Sequence, residues 1–162
     1  MPRVGVTERE RLVEWVAAAP ADWRPLALTN GCFDLLHAGH VRYLAQAKAL
    51  AKTLIVGVNR DASVRALKGP TRPIVPEAQR AEVVAALHAV DGVVLFGETT
   101  ATALILALRP DLYIKGGDYR RETLPEAAAL EACGAELVLI PMEIVVSTTA
   151  IATKLSRSQP VQ

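Results

Sequence analysis

The sequence contains little cysteine, few aromatic residues and no excess of charge of either sign. Its two cysteines, Cys32 and Cys133, have no spacing typical of metal ligands, so we expect free thiols rather than a zinc site. The 18 Lys and Arg residues against 17 Asp and Glu residues give a net charge of +1, which argues against a basic surface for nucleic acid or for anionic membranes. Any anion site must therefore be local.

Long hydrophobic runs are also missing. No apolar run approaches the length of a membrane span, and the first residues lack the basic start and apolar core of a secretory signal. We therefore expect a cytoplasmic protein without a membrane partner. Hydrophobic residues make up 51% of the chain but aromatic residues only 4%, which favours buried aliphatic strands covered by helices.

The length of 162 residues suits one main domain with a full core. We predict an N-terminal helical extension over residues 1–24, the main domain over residues 25–156 and a flexible tail over residues 157–162. Thr7 is expected to cap the helix of the extension, which ends at Pro20.

Five apolar segments predict buried strands, and a helical pattern follows each of them. The segments are residues 26–28, 53–58, 92–96, 112–114 and 136–140. This alternation predicts an α/β domain with a doubly wound, five-stranded parallel sheet. Residues 59–76 are expected to form a long irregular connection, and Thr99 or Thr100 is expected to cap the helix after the third strand.

The most informative stretch is residues 29–40, which reads T-N-G-C-F-D-L-L-H-A-G-H and leads from the first strand into a helix. His40 falls in the first helical turn, and we expect His37 to point the same way. Gly39 between them lets an anion approach the free backbone N–H groups of the helix start. Neither G-x-G-x-x-G nor G-x-x-x-x-G-K-[ST] follows the first strand, which disfavours a dinucleotide-binding dehydrogenase and a P-loop enzyme.

Polar clusters follow the carboxyl ends of the predicted strands. They are residues 29–40, 68–72, 115–119 and 147–149. Because ligands of open α/β sheets bind at this edge, the clusters predict one shared site. The residues alone leave open that Lys68 and Arg72 are ordinary surface residues and that Gly116 belongs to a structural turn.

The block at residues 29–40 resembles the H-x-G-H nucleotidylyltransferase superfamily, which couples a nucleoside triphosphate to a phosphorylated small molecule and releases pyrophosphate. The resemblance covers about residues 25–155 and implies a Rossmann-like fold. It implies catalytic roles for His37, His40 and Lys68, and contacts from Arg72 and Arg80 to substrate phosphates. The residues expected to bind the nucleotide are Thr29, Asn30, Gly31, Phe33, Asp34, Gly39, Lys115, Gly116, Asp118, Ser147, Thr148 and Thr149. Of these, Asp34 is expected to orient the turn rather than to act as a base.

Four segments are most similar to the adenylyltransferases that convert D-glycero-β-D-manno-heptose 1-phosphate and ATP to ADP-heptose and pyrophosphate. They are residues 29–40, residues 58–73, K-G-G-D-Y at 115–119 and S-T-T at 147–149. CTP:glycerol-3-phosphate cytidylyltransferases share most motifs but carry R-T-E-G-x-S-T-T before the last helix. This chain has M-E-I-V-V at residues 142–146, so Met142 and Val145 depart from that pattern, and the missing glycine departs from the heptose pattern too.

Three functions therefore follow from the resemblance. The first is the heptose 1-phosphate adenylyltransferase, and the alternative is a cytidylyltransferase for glycerol 3-phosphate or another phosphorylated alcohol. A non-catalytic nucleotide-sensing module is the alternative of another class. ATP and a sugar 1-phosphate are the expected partners, with Mg²⁺ held by the triphosphate because no carboxylate cluster of suitable spacing is present. A homodimer is also implied by the resemblance.

Overall fold

The computed structural model describes residues 3–117, 119–141 and 147–157. They form a doubly wound α/β fold, as predicted, but its parallel sheet has six strands rather than five. The strands are β1 Gly5–Thr7, β2 Leu26–Gly31, β3 Thr53–Asn59, β4 Gly92–Phe96, β5 Leu112–Gly116 and β6 Glu136–Ile140. Across the sheet their order is β1-β4-β3-β2-β5-β6.

Eight α-helices in the described part of the chain cover the two faces of the sheet. They are α1 Arg9–Ala18, α2 Pro20–Trp23, α3 Ala38–Ala49, α4 Asp61–Lys68, α5 Glu77–Ala86, α6 Thr102–Leu108, α7 Ala127–Cys133 and α8 Thr148–Arg157. A short 3₁₀ turn, Arg121–Thr123, precedes α7. Among the described residues, none of these helices combines the length and apolar character that crossing a bilayer requires.

The core is divided between the two faces of the sheet. Leu26 and Leu28 of β2 pack into one cluster with α1, α6 and α7, while Ala27 between them packs into the other with α3 and α5. This alternation follows from the two-residue period of a strand. Every residue of β3 is buried, as expected for a central parallel strand covered on both faces.

The N-terminal segment differs from its prediction. Thr7 does not cap α1, because it belongs to β1 and lies opposite Val94 of β4 in parallel pairing. Glu8 precedes α1 and forms no side-chain cap. The N-terminal segment therefore adds an edge strand to the sheet before its helix begins.

Two further local predictions are wrong. Residues 59–76 are not irregular throughout, since α4 occupies the first half of this connection. Ala101 precedes α6, so neither Thr99 nor Thr100 caps that helix. By contrast, Ser147 does cap α8, because its Oγ accepts the N–H of Ala150 at 3.1 Å.

The sheet order creates a crevice at β2. After β2 the chain forms β3 and β4, which lie on one side of β2 within the sheet. It later forms β5 and β6, which lie on the other side of β2. Crossovers that diverge in this way leave a groove at the carboxyl ends of β2 and β5, the usual ligand position in open α/β sheets.

Candidate active site

An open cavity of about 180 Å³ lies at the carboxyl ends of β2 and β5. It brings together residues from all four predicted polar clusters. Its lining residues are Asn30, Gly31, Cys32, Phe33, His40, Tyr43, Lys68, Lys115, Gly116, Tyr119 and Thr148.

The two histidines of the motif are fixed by the start of α3. The ring Nδ1 of His37 accepts the N–H of Gly39 at 3.1 Å, and the ring Nδ1 of His40 accepts the N–H of His37 at 3.4 Å. Their ring centroids lie 4.0 Å apart. Because each Nδ1 is an acceptor, a neutral ring must carry its proton on Nε2. Both Nε2 atoms are therefore donors, and only the ring of His40 lines the cavity.

His40 is a neutral hydrogen-bond donor near pH 7. Burial, with smaller contributions from His37 and Lys68, lowers its pKa from 6.5 to about 4. The ring of Phe33 lies 5.4 Å from that of His40, which explains part of the burial. The Nε2–H of a neutral imidazole can donate a hydrogen bond to a phosphate oxygen.

Lys68 lies at the C-terminal end of α4 rather than on a flexible loop, which corrects the sequence prediction about its setting. Gly69 follows it with a φ of 97°, a conformation that glycine adopts without strain. The exposed side chain of Lys68 lines the cavity together with His40. A cation and a neutral donor thus line the same cavity.

Lys115 of β5 and Asn30 of β2 also line the cavity. The Oδ1 of Asn30 accepts the hydroxyl of Tyr113 at 2.6 Å and the ammonium of Lys115 at 3.4 Å. The Lys115 ammonium also lies 5.6 Å from the ring centre of Tyr113 and 5.1 Å from that of Tyr119. Burial lowers the pKa of Lys115, and the carboxylate of Glu126 raises it in part.

Asp34 does not line the cavity but organises the segment beside it. Its carboxylate accepts the backbone N–H groups of Ile74 and Val75 and the guanidinium of Arg72. Arg72 also reaches Thr149 at 3.4 Å. In this structure Arg72 therefore joins the motif to α8, and it is not among the residues that line the cavity.

Arg80 is an internal brace, so the prediction that it contacts a substrate phosphate does not fit its position. The residue is 1% exposed. Its guanidinium donates to the carbonyls of Val75, Cys32 and Asn59 and to the carboxylate of Asp61. With these partners the buried charge is compensated, and it ties the motif to β3 and α5.

Thr29 and Tyr43 belong to a chain of hydrogen bonds next to the cavity. The hydroxyl of Tyr43 donates to the carbonyl of Ile114 at 2.9 Å, so the Thr29 hydroxyl donates to Tyr43 at 2.7 Å. Thr29 is completely buried and does not line the cavity, contrary to its predicted nucleotide contact. Its contribution is to fix Tyr43, which does line the cavity.

The remaining predicted residues divide into two groups. Gly31, Phe33, Gly116 and Thr148 line the cavity, whereas Gly39, Ser147 and Thr149 support the starts of α3 and α8. Thr148 donates to the carbonyl of Leu35 at 3.2 Å, which brings α8 to the motif. Asp118, Met142 and Val145 lie outside the described residues.

Sequence reasoning missed three residues that line the cavity. Tyr43 stands one helical turn after His40, a spacing that indicates a shared helix face. Tyr119 and Cys32 lie within recognised motifs but were assigned no role. Burial raises the pKa of the Cys32 thiol, so this group stays protonated rather than becoming a nucleophile.

The chemistry of the cavity suits a phosphate-bearing ligand better than a bare metal ion. Among residues 3–117, 119–141 and 147–157, no three His, Cys, Asp or Glu side chains lie close enough to hold a metal. The cavity instead offers two ammonium groups and an imidazole N–H, which are donors to anions. The backbone N–H groups of Gly39, His40 and Val41 are not free, contrary to the expectation, because they donate to the ring and the carbonyl of His37.

Comparison with known proteins gives a consistent result. Residues 28–154 match the family described as cytidylyltransferase-like. The bifunctional protein HldE of Klebsiella pneumoniae subsp. pneumoniae is 47% identical over 153 residues, covering 94% of this chain and 32% of that protein. HldE of Caulobacter sp. (strain K31) is 54% identical over 136 residues, covering 82% of this chain and 28% of that protein. The chain thus spans about a third of the length of these curated relatives.

A solved structure shares the fold. The lipopolysaccharide core biosynthesis protein from Thermoplasma volcanium GSS1 aligns with a TM-score of 0.60 and 27% identity, over 75% of this chain and 98% of that chain. The family match covers most of this chain, including every residue that lines the cavity. The chain belongs to the cytidylyltransferase-like family.

Proposed function

We propose that this chain is a nucleotidyltransferase that transfers AMP from ATP to D-glycero-β-D-manno-heptose 1-phosphate, giving ADP-heptose and pyrophosphate. The observation that carries the proposal is the cavity at the carboxyl ends of β2 and β5, which His40 from the first turn of α3 and Lys68 from the end of α4 line together. These groups offer donors and positive charge to a polyphosphate at the position where an open α/β sheet binds its ligand.

The proposed reaction needs no covalent intermediate on the protein. An oxygen of the acceptor phosphate attacks the α-phosphorus of ATP, and the bond between this phosphorus and the oxygen bridging to the β-phosphorus breaks. Pyrophosphate leaves with the electron pair of that bond. A phosphate oxygen is already a nucleophile near pH 7, so no side chain has to remove a proton from it.

The residues of the cavity contribute by position and charge. The Nε2–H of His40 donates to a phosphate oxygen as negative charge builds up, and Lys68 neutralises the leaving pyrophosphate. A single donor to a developing oxyanion contributes about 2.7–4 kcal/mol to the transition state. Mg²⁺ enters bound to ATP as part of the substrate, and it supplies further charge neutralisation.

The sugar phosphate is supported by the motifs and by the names of the similar proteins. The relatives are named as HldE, and the solved structure is named as a lipopolysaccharide core biosynthesis protein. A polysaccharide core is built from activated sugars, so an enzyme that activates a sugar 1-phosphate is consistent with these names. A cytoplasmic location and a homodimer remain predictions, and light scattering of the purified protein measures the mass of the assembly.

Pyrophosphate release tests the proposal. The protein is assayed with MgATP or MgCTP, each combined with heptose 1-phosphate or glycerol 3-phosphate. We expect rapid release only with MgATP and heptose 1-phosphate, together with ADP-heptose detected by mass spectrometry. Release with MgCTP and glycerol 3-phosphate would instead identify the cytidylyltransferase alternative.

A third outcome of this assay distinguishes an enzyme from a sensor. Nucleotide binding measured by calorimetry without release in any combination would support the nucleotide-sensing module. For histidine variants in this assay, the matched control is His88→Ala, because this exposed histidine of the described chain lies outside the cavity. Its rate is expected to equal that of the wild-type protein.

A further inference from the structure

The cavity has a cation on each side of β2. Lys68 ends α4, which follows β3, whereas Lys115 belongs to β5. β3 and β5 are the two neighbours of β2 in the sheet, and the helix that carries His40 follows β2 itself. The sheet order therefore places His40 between the strands that supply the two lysines.

The side chain of Lys115 contacts neutral groups directly, and the carboxylate of Glu126 attracts it without forming an ion pair. The nearest polar partner of the ammonium is the Oδ1 of Asn30 at 3.4 Å, and its charge faces the rings of Tyr113 and Tyr119. The ion pairs formed within the described ranges do not include Lys115. A partly buried ammonium held in this way gains more from an incoming anion than a fully hydrated one does.

Asn30 is oriented by the same contacts. Lys115 has only donors to offer, so the atom of Asn30 that faces it must be the carbonyl oxygen. The Tyr113 hydroxyl donates to the same oxygen at 2.6 Å. The Nδ2 amide of Asn30 is therefore left to donate to a ligand. It is a second donor in the lining of the cavity, beside the ammonium of Lys115.

The geometry of the reaction decides which anion belongs there. In an in-line displacement the attacking and leaving oxygens lie on opposite sides of the phosphorus. A cation for the leaving pyrophosphate and a cation for the attacking phosphate must then approach from opposite directions. The strands on the two sides of β2 supply Lys68 and Lys115, an arrangement that agrees with this requirement.

We propose that Lys115, oriented by Asn30, binds the phosphate group of the acceptor sugar phosphate rather than the nucleotide. This assignment rests on the proposed function. In it, Lys115 is the residue that positions the acceptor. The ammonium lowers the repulsion between the acceptor phosphate and the triphosphate. It also holds the attacking oxygen on the side of the α-phosphorus opposite to the leaving group.

Three variants test the assignment. Lys115→Met removes the charge at similar length, Lys115→Arg retains a cation, and Lys52→Met removes an exposed lysine whose ammonium donates to the carbonyl of Ala21, away from the cavity. Steady-state rates are measured with heptose 1-phosphate varied at saturating MgATP, and then with MgATP varied at saturating acceptor. The melting temperature of each variant is measured in parallel.

We expect Lys115→Met to raise the KM for heptose 1-phosphate by about 20-fold or more while the KM for MgATP changes by less than about threefold. Lys115→Arg is expected to recover most of the acceptor affinity, and Lys52→Met to match the wild-type protein. A rise in the KM for MgATP with an unchanged acceptor KM would overturn the proposal, because it would make Lys115 a ligand of the nucleotide.

A binding experiment separates this inference from the proposed function. The proposed function fails if the wild-type protein forms no ADP-heptose. Inorganic phosphate, titrated into protein saturated with a non-hydrolysable MgATP analogue, probes the Lys115 site without any turnover. We expect Lys115→Met to bind inorganic phosphate about tenfold more weakly than the wild-type protein and Lys115→Arg. Equal affinities for all three proteins would overturn the inference.

Discussion

Arg72 donates a hydrogen bond to Asp34 across 2.7 Å, and their side chains are only 12% and 1% exposed. Asp34 also accepts the backbone N–H groups of Ile74 and Val75. Burial alone would raise the pKa of Asp34, but these three donors together hold it below the ordinary value. The carboxylate is thus ionised, and it fixes the segment between α4 and α5 against the motif.

Removal of this carboxylate should destabilise the protein strongly. Breaking a buried pair leaves an uncompensated charge, so we expect Asp34→Ala to lower the free energy of unfolding by about 3–5 kcal/mol. The coupling energy in a double-mutant cycle with Arg72→Ala should exceed about 1.5 kcal/mol. Urea unfolding of the four proteins measures both quantities.

The more exposed pair between Arg9 and Glu98 is the matched control for this cycle. Its side chains are 32% and 39% exposed, so solvent screens their attraction and we expect a coupling energy of about 0–1 kcal/mol. A coupling between Asp34 and Arg72 no larger than this control would show that the buried pair does not hold the segment.

Arg80→Lys distinguishes a structural brace from a phosphate contact. A lysine keeps the charge but cannot supply the several donors that Arg80 directs to three carbonyls and to Asp61. We expect the free energy of unfolding to fall by about 3 kcal/mol and the KM for both substrates to stay within about twofold. Unchanged stability with a tenfold rise in a substrate KM would instead show that Arg80 contacts a substrate phosphate.

Much of the sheet could be predicted from the sequence because its central strands carry a local signal. The segments at 53–58 and 92–96 are continuous apolar runs bounded by polar residues, and the structure places β3 and β4 there. β1 escaped prediction because a three-residue edge strand has no recognisable period. Its identity depends on pairing with β4, which is distant in the sequence.

The site divides in the same way. The motif at 29–40 is local, so its position at a strand end and helix start could be predicted. The burial of Arg80 could not, since it depends on carbonyls of Cys32 and Asn59 that only the folded chain brings near. The hydrogen bond from Tyr43 to the carbonyl of Ile114 likewise joins α3 to a strand that is distant in the sequence.

His37 has a capping role and an expected catalytic role, and two variants separate them. His37→Ala loses the acceptor for the Gly39 N–H, so we expect a loss of about 0.5–2 kcal/mol in unfolding free energy. His37→Asn restores a cap but lacks the Nε2 donor, so its stability should recover while pyrophosphate release stays slow. Recovery of both stability and turnover in His37→Asn would reduce His37 to a helix cap.

His40 should make stability depend on pH between about 6.5 and 4. In the unfolded chain this histidine takes up a proton as the pH falls through 6.5, whereas in the folded protein it does so only near pH 4. The unfolded state therefore binds more protons in this window, and the free energy of unfolding falls as the pH is lowered. Asp34 adds its own loss only below its ordinary pKa of 3.8.

His40→Asn tests the origin of this pH dependence, because its side-chain oxygen keeps an acceptor for the His37 N–H but does not titrate. Urea unfolding at about pH 7 and about pH 5 should show a smaller loss of stability in the variant than in the wild-type protein. Equal losses in the two proteins would show that His40 is not the responsible group.

Pyrophosphate release by His40→Asn, measured in a single turnover beside the equilibrium binding of MgATP, tests most directly whether the imidazole N–H at the cavity stabilises the transition state. The rate is predicted to fall by about 10²–10³-fold, while the Kd for MgATP stays within about threefold of the wild-type value. Release at the wild-type rate would contradict this role for His40, as would a loss of MgATP binding that accounts for the whole fall in rate.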